Sequence, residues 1–308
     1  MIRQQFRSFY FHHRIHDIEK LIEHFSVFGG LGWQIDIDAP LEELIVTEIL
    51  ENFALLHNQI LELTTEDKQY ARLLTTLARG DRRIFSAFNK SGLTNLSGGL
   101  SLKHLQNTGV LEAEYSREEP APKNGDKLKR EVARHRISHK MRFTSPFLRF
   151  WFYFISPMRR FIEEGDYEKV IENFKQHHQS FVGYTFEELG NEMMKLKCAD
   201  LRLIDSGSYW DRHVEIDLMA TGSKNELIVG ECKWKNHKMN KKEVNKLLEK
   251  CKKVGFEPDI MMFFAKRGFS KELLSIQDEK LQLYACNDFE DLLINVTEND
   301  LIQGFWRE

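Results

Sequence analysis

The stretch EIDLMATGSKNELIVGECKW, residues 215–234, decides the fold class of the second half of the chain. Two short apolar runs flank the turn-forming residues GSKN, and this pattern predicts a β-hairpin. If Lys224 is the centre of the turn, Asp217 and Glu231 are equally distant from it and lie opposite each other on one face. A register slip of one residue would put Gly230 opposite Asp217 instead.

Two opposed acids on a largely apolar hairpin require a source of positive charge. Directly opposite residues have Cβ atoms about 5 Å apart, and two carboxylates at that separation repel each other by roughly 3 kcal/mol at an effective dielectric constant of ~20. Lys233, on the same face as Glu231, supplies one positive charge, and Mg²⁺ or Mn²⁺ would supply more. A solvent-facing strand whose acids simply meet water is the alternative interpretation.

These residues resemble the PD-(D/E)xK restriction-endonuclease-like superfamily, since Asp217 and the Glu-Cys-Lys run at 231–233 follow a helix that carries Gly183 and Glu187. More narrowly, five segments in order are similar to domain of unknown function 234: SPFLRFWFYFISPMRRFIEEG, VGYTFEEL, EIDLMA, GECKW and FFAKRGFSKEL. That domain is usually the C-terminal part of archaeal-type P-loop ATPases and follows a winged helix. The resemblance covers residues 65–308.

The resemblance implies a catalytic site. Asp217, Glu231 and Glu187 would be ligands of Mg²⁺ or Mn²⁺, and Lys233 would be the catalytic lysine. Glu188 is the adjacent alternative to Glu187, but successive residues of a helix point about 100° apart, so only one of the two can face the metal. The chain departs from the family's pattern in two ways: Ile216 replaces the proline of the PD motif, and the family's ATPase domain is expected to be absent.

The order of predicted elements gives four regions. Residues 1–62 are a helical N-terminal region, residues 63–142 a winged helix-turn-helix, and residues 143–180 a helical connector. Residues 181–308 alternate helices and strands, which predicts an α/β restriction-endonuclease-like domain with a mixed central sheet. A helix capped by Thr65 opens the winged helix, and its returning strand is expected near ISHKMRF, residues 137–143.

The distribution of charge favours DNA as the partner. The net charge is only −3, but residues 123–142 hold eight Lys or Arg against two acids, and residues 233–253 hold nine lysines against two acids. The second segment would equally fit a solvated helix face. The candidate DNA contacts lie on the third helix, the wing and the lysine-rich helix: Asn95, Ser97, Lys103, His104, Lys127, Lys129, Arg130, Lys241 and Lys242.

Other features of the sequence bear on cofactors, membrane partners and location in the cell. No P-loop sequence occurs, so no nucleotide cofactor is expected, and the family's ATPase would be a separate partner chain. The aromatic run at 143–157 is shorter than the ~20 residues of a membrane span, so no membrane partner is expected. Four scattered cysteines and the lack of a signal sequence indicate a cytoplasmic protein. His12 and His16 share one predicted helix face and form a weak candidate metal pair.

Three functions are consistent with these features. The first is a metal-dependent, DNA-binding nuclease that hydrolyses phosphodiester bonds. The second is a non-catalytic DNA-binding or regulatory module that keeps the nuclease fold. The third is a partner subunit of a separate P-loop ATPase in a defence or toxin-like system. The complete set of two acids and a lysine, Asp217, Glu231 and Lys233, favours the first.

Overall fold

The computed structural model describes residues 1–117, 139–302 and 304. These residues form two compact units. The first unit takes residues 1–114, 140–189, 289–302 and 304, and the second takes residues 115–117, 139 and 190–288. The first unit is therefore assembled from both ends of the chain, and most of the second unit is a single insertion within it.

The N-terminal part of the first unit is helical, as predicted. Its elements are α1 (Ile2–His13), α2 (Ile18–Phe28), α3 (Leu41–Leu44), a π-helical segment (Ile45–Leu50) and α4 (Phe53–Leu63). Asp17 starts α2 by accepting a hydrogen bond from the Lys20 N–H. Helix α1 ends at His13, and the next residue, Arg14, is left-handed with φ of 50°. The prediction that His12 and His16 share one helix face is therefore wrong.

The two ends of the chain are joined within the first unit. Arg7 of α1 binds the Asp300 carboxylate through two nitrogens, at 2.6 and 3.0 Å. It also donates to the carbonyl oxygens of Leu292 and Ile294. The region 1–62 therefore contributes to the same packed body as the last described residues, 289–302.

Three helices and a two-stranded antiparallel sheet follow in the first unit. They are α5 (Lys68–Arg79), α6 (Ile84–Ser91), α7 (Asn95–Asn107), β1 (Leu111–Glu114) and β2 (Lys140–Phe143). The cap of α5 is Asp67 and not Thr65, because the Asp67 side chain accepts from the Gln69 N–H. The returning strand lies within the predicted stretch. The predicted tip of the wing lies in residues 118–138, which are outside the described residues.

The aromatic run forms a sequence of short helical segments and not one helix. It contains α8 (Pro146–Phe150), a π-helical segment (Trp151–Ile155), a 3₁₀ turn (Ser156–Met158) and α9 (Arg159–Glu163). Its aromatic side chains are buried, as predicted: Phe147, Phe150, Trp151, Phe152 and Phe154. Within the described parts of the chain, no helix has the length and apolar composition that a membrane crossing requires.

A single helix, α10 (Tyr167–Lys197), continues for 31 residues from the first unit into the second. The predicted boundary between connector and nuclease-like domain, at residues 180 and 181, falls inside this helix. The two units divide between Leu189 and Gly190. A side chain at Gly190 would collide with the Cys232 sulfur at 2.6 Å, so glycine permits the close approach of helix and strand.

The second unit is built on a mixed five-stranded sheet. Its strands are adjacent in chain order: β3 (Asp205–Trp210), β4 (Glu215–Thr221), β5 (Leu227–Lys233), β6 (Ile260–Ala265) and β7 (Leu281–Ala285). The first three strands are antiparallel and the last three parallel. Helices α11 (Lys241–Val254) and α12 (Lys271–Leu274) connect the parallel strands. The predicted mixed sheet is confirmed, and β3 is an additional strand.

One face of this sheet is covered by α11. Val244, Leu247 and Cys251 of that helix are buried in a core with Ile216, Val229 and other apolar side chains of the sheet. Asn240 caps the helix by accepting from the Lys242 N–H, and Gly255 ends it with φ of 75°. Packing thus fixes the position of α11 next to the carboxyl-terminal end of β5.

Candidate functional site: two carboxylates and two lysines

The hairpin has the predicted register. Leu218 pairs with Gly230, and Thr221 pairs with Leu227. The same register continued by one residue puts Asp217 opposite Glu231. A hydrogen bond of 3.0 Å from the Cys232 N–H to Asp217 Oδ2 fixes the Asp217 carboxylate at this position. The alternative register, with Gly230 opposite Asp217, is excluded.

Lys233 lies between the two acids. Its Nζ atom is 2.5 Å from Glu231 Oε1 and 3.7 Å from Asp217 Oδ2. The side chains of Glu231 and Lys233 lie on the same face of β5 because the residues are two positions apart in a strand. The three residues that the sequence predicted as a set are therefore brought together.

Lys250 on α11 is a fourth member of the site, which the sequence pattern did not predict. Its Nζ atom is 2.7 Å from Glu231 Oε2, so each oxygen of Glu231 holds one lysine. One feature of the sequence does indicate Lys250, namely its position on the helix. Lys250 directly precedes the buried Cys251, and it therefore borders the buried face of an amphipathic helix. We call Asp217, Glu231, Lys233 and Lys250 the lysine cluster.

The acids of the lysine cluster are poorly solvated. The side chains of Asp217 and Glu231 are 15% and 9% exposed, whereas those of Lys233 and Lys250 are 24% and 30% exposed. Burial, and next the charge of Glu231, raise the pKa of Asp217 to about 6, against the opposing effect of Lys233. The cluster contains two acids and two lysines, so its formal charges balance when all four groups are ionised.

The two carboxylates fit a magnesium-type ion better than a closed metal cage. Within the described chain, no hydrogen bond reaches Oδ1 of Asp217, so this oxygen can accept a ligand bond. Nor do any three His, Cys, Asp or Glu side chains of the described residues gather as a ready metal site. Mg²⁺ commonly binds through one or two carboxylates, several waters and substrate phosphates. The donor set of Asp217 and Glu231 is consistent with that mode.

The two helix-borne acids, Glu187 and Glu188, lie on α10 in the first unit. Glu188 is engaged there: it accepts from the Tyr184 hydroxyl at 3.3 Å and lies 3.9 Å from Arg142. Burial raises its pKa to about 7. Glu188 is therefore committed to contacts within its own unit, and the role of Glu187 as a metal ligand stays a prediction from the sequence.

Glu188 belongs to a second ionic cluster, which we call the arginine cluster. Arg82 donates to Glu114 at 2.6 Å and to the Tyr184 hydroxyl at 2.8 Å. The cluster consists of three arginines, three glutamates and a tyrosine: Arg82, Arg142, Arg149, Glu112, Glu114, Glu188 and Tyr184. All seven residues lie in the first unit.

The candidate DNA contacts on α7 differ in their surroundings. Ser97 forms a reciprocal capping box with Thr94, and His104 packs on Tyr70 with its Nε2 3.4 Å from the Thr64 carbonyl oxygen. Asn95 and Lys103 are exposed. Two exposed leucines, Leu96 and Leu100, share the surface of α7 with them. The helix surface is therefore partly apolar.

The remaining candidate DNA contacts lie at the start of α11 and in the wing. Lys241 and Lys242 are exposed in the first turn of α11. Lys127, Lys129 and Arg130 lie outside the described residues.

Comparison with known proteins finds a family model that is similar to part of the chain. Residues 151–247 match the model of domain of unknown function 234, which is described as "Archaea bacterial proteins of unknown function". The predicted resemblance to this domain is confirmed over those residues, which include Asp217, Glu231 and Lys233.

Two longer proteins are similar to this chain. An uncharacterized protein of Methanocaldococcus jannaschii, MJECL04, is 26% identical over 285 residues, which cover 88% of this chain and 60% of that protein. Can2 from Sulfobacillus thermosulfidooxidans, solved in complex with cyclic tetra-adenylate, is similar over 88% of this chain and 58% of its own, at 16% identity and a TM-score of 0.28. The chain thus spans about three fifths of the length of each of these two proteins.

Proposed function

We propose that this chain is a metal-dependent nuclease that hydrolyses phosphodiester bonds of DNA, with its catalytic site in the lysine cluster. One observation carries the proposal. The hairpin register puts Asp217 and Glu231 together on a largely apolar hairpin, with Lys233 in contact with both. Such a set of poorly solvated, mutually repelling acids costs stability, and sites of this kind are often functional.

In the proposed reaction, Asp217 and Glu231 would hold the metal ion, and Glu187 would be the third acid. A bound Mg²⁺ or Mn²⁺ supplies Lewis-acid stabilisation of the charge that develops on a phosphoryl oxygen. Lys233 orients the attacking water or stabilises the pentavalent transition state. Its ammonium group stabilises negative charge strongly because little water screens the charge in a poorly solvated site. Asp217 keeps its orientation through the Cys232 N–H, so this carboxylate is preorganised before substrate arrives.

DNA as the substrate is supported by the basic segments and by the order of elements. Helices α5–α7 and strands β1 and β2 follow one another as in a winged helix-turn-helix, which we propose as the DNA-binding module. Asn95 and Lys103 of α7 and Lys241 and Lys242 of α11 are exposed and remain proposed contacts. A separate P-loop ATPase is retained as a proposed partner, to be tested by co-purification.

A cleavage assay tests the proposed function. Purified protein is incubated with supercoiled, linear and branched DNA in Mg²⁺ or Mn²⁺. We compare the wild type with Lys233→Met and with Lys224→Met, which removes the same charge at the turn of the hairpin. Removing a preorganised charge from a catalytic site lowers kcat by about 10²-fold or more. We therefore expect Lys233→Met and chelation of the metal each to abolish cleavage, and Lys224→Met to cut at the wild-type rate.

The assay also separates the rival function. If none of the three DNA forms is cut in either metal while DNA binding is retained, the nuclease proposal is wrong. The chain would then be a non-catalytic DNA-binding module with a nuclease-like fold. Cleavage by Lys233→Met at the wild-type rate would remove Lys233 from the mechanism.

A further inference from the structure

Glu231 is fully engaged by cations of the protein itself. Lys233 binds its Oε1 at 2.5 Å and Lys250 binds its Oε2 at 2.7 Å. A carboxylate oxygen that accepts from an ammonium group offers less of its charge to a metal, and a lysine beside a divalent cation is repelled by it. A metal ion that uses Glu231 must therefore displace at least one of the two lysines.

Lys250 is the lysine that can leave. Lys233 contacts both acids of the pair, and it lies on the same strand as Glu231. Among the residues that the structure describes, Lys250 pairs with one acid, Glu231, and its side chain is 30% exposed against 24% for Lys233. Lys250 extends from α11 to the site through a long, flexible side chain. Rotation about the bonds of this side chain moves Nζ into solvent, and the helix itself does not have to shift.

We infer that Lys250 has two successive roles. It first competes with the metal ion for the Glu231 carboxylate, and after it is displaced it binds the substrate. It neutralises Glu231 in the metal-free protein, and a divalent cation displaces it. The released ammonium group then binds a phosphate of the nucleic-acid backbone next to the metal. This inference rests on the proposed function, and it names a residue, an order of events and a ligand class, the phosphodiester backbone, for the same site.

Metal affinity provides the first test. Mn²⁺ binding is measured by electron paramagnetic resonance or calorimetry on the wild type, Lys250→Met, Lys250→Arg and the charge control Lys224→Met. Removing a partly exposed competing cation is expected to tighten Mn²⁺ binding by about twofold to fivefold, the range of a partly screened charge contact. Lys250→Arg and Lys224→Met should keep the wild-type affinity, because the first retains the charge and the second lies at the far end of the hairpin.

DNA affinity provides the second test. Binding of a duplex oligonucleotide is measured over a range of salt concentrations, with and without Ca²⁺ as a divalent ion. Without the ion, Lys250→Met should bind as the wild type does, because Lys250 is then held by Glu231. With the ion, Lys250→Met should bind more weakly, and the slope of log K against log salt should fall by about 0.9, the value for one phosphate contact.

The outcomes separate this inference from the proposed function. Tighter Mn²⁺ binding by Lys250→Met together with no DNA cleavage by any variant would leave the inference standing and the nuclease proposal wrong. Cleavage by the wild type, with unchanged or weaker Mn²⁺ binding by Lys250→Met, would overturn the inference alone. Circular dichroism checks that the variants fold, and Lys250→Gln replaces Lys250→Met if the latter does not.

Discussion

The two units of the protein each contain a partly buried ionic cluster, and the two clusters use different cations. The arginine cluster holds its acids with planar guanidinium groups that also stack on an aromatic ring. Arg82 and Arg149 lie 4.3 and 4.4 Å from the centre of the Tyr184 ring. The lysine cluster holds Glu231 with two single-point ammonium contacts from Lys233 and Lys250.

Raised carboxyl pKa values do not distinguish the two clusters. Burial is the main cause in both, and it raises the pKa of Glu188 to about 7 and that of Asp217 to about 6. The clusters differ in how readily their cations can be exchanged. A guanidinium group fixed by several donors and by stacking is a permanent partner, whereas an ammonium group on a flexible chain can be replaced by another cation. This difference agrees with a structural role for the arginine cluster and with the catalytic role that we propose for the lysine cluster.

The largest expected effect is the loss of an arginine that is mostly shielded from solvent, Arg82, whose side chain is 12% exposed. Arg82→Leu leaves Glu114 and the Tyr184 hydroxyl without the donor that now reaches both. Breaking a buried pair from one side costs about 3–5 kcal/mol. We expect that loss in the free energy of unfolding, measured with denaturant.

An exposed arginine provides the control for Arg82→Leu. Arg160 pairs with Glu164, and its side chain is 84% exposed. Exposed ion pairs contribute about 1 kcal/mol or less, so Arg160→Leu should change stability by no more than that. Equal losses in the two variants would contradict the structural role of the arginine cluster.

A smaller effect, of opposite sign, is expected from Asp217→Asn. The folded-state pKa of Asp217 is about 6, above the ordinary value of 3.8, so the folded state binds more protons between these pH values. Ionised Asp217 therefore destabilises the fold as pH rises through this window. A shift of one pKa unit corresponds to about 1.4 kcal/mol. As pH rises from 4 to 6, the free energy of unfolding of Asp217→Asn should therefore increase relative to that of the wild type, by up to about 3 kcal/mol. Above pH 6 this difference should stay constant.

Unfolding titrations at several pH values check this prediction. Glu257→Gln, which removes an exposed acid of the same unit, is the control and should show no such trend. The same Asp217→Asn variant should lose Mn²⁺ binding, because it removes one of the proposed metal ligands. If the advantage of Asp217→Asn over the wild type became smaller as pH rises from 4 to 6, the fold would stabilise the charged form of Asp217, and the prediction would be wrong.

The part of the site that follows from local pairing could be predicted from the sequence. The turn GSKN and the two apolar runs determine the register of β4 and β5, and the register alone puts Asp217 opposite Glu231. Lys233 follows because alternate residues of a strand share a face. These inferences need no knowledge of how the hairpin packs on the rest of the protein.

The parts that depend on packing between distant elements could not be predicted in the same way. Lys250 reaches Glu231 only because α11 lies over the sheet at a particular angle, and no spacing in the chain encodes that angle. Strand β3 was missed because its sequence, DSGSYW, is mostly polar and small and shows little alternation. The continuity of α10 was missed because its polar first half and apolar second half look like two helices.

The smallest expected effects come from exchanging lysine and arginine between the clusters. Arg142 uses Nε to bind Glu112 at 2.6 Å and Nη1 to approach Glu188 at 3.9 Å, which a single ammonium group cannot reproduce. Arg142→Lys should therefore cost about 1 kcal/mol, the net value of one hydrogen bond. Lys250→Arg keeps a charge beside Glu231 and should change stability by less than about 0.5 kcal/mol, as most surface substitutions do. Denaturant unfolding of both variants measures the difference, and a larger loss for Lys250→Arg would mean that the lysine cluster is the more tightly fitted of the two.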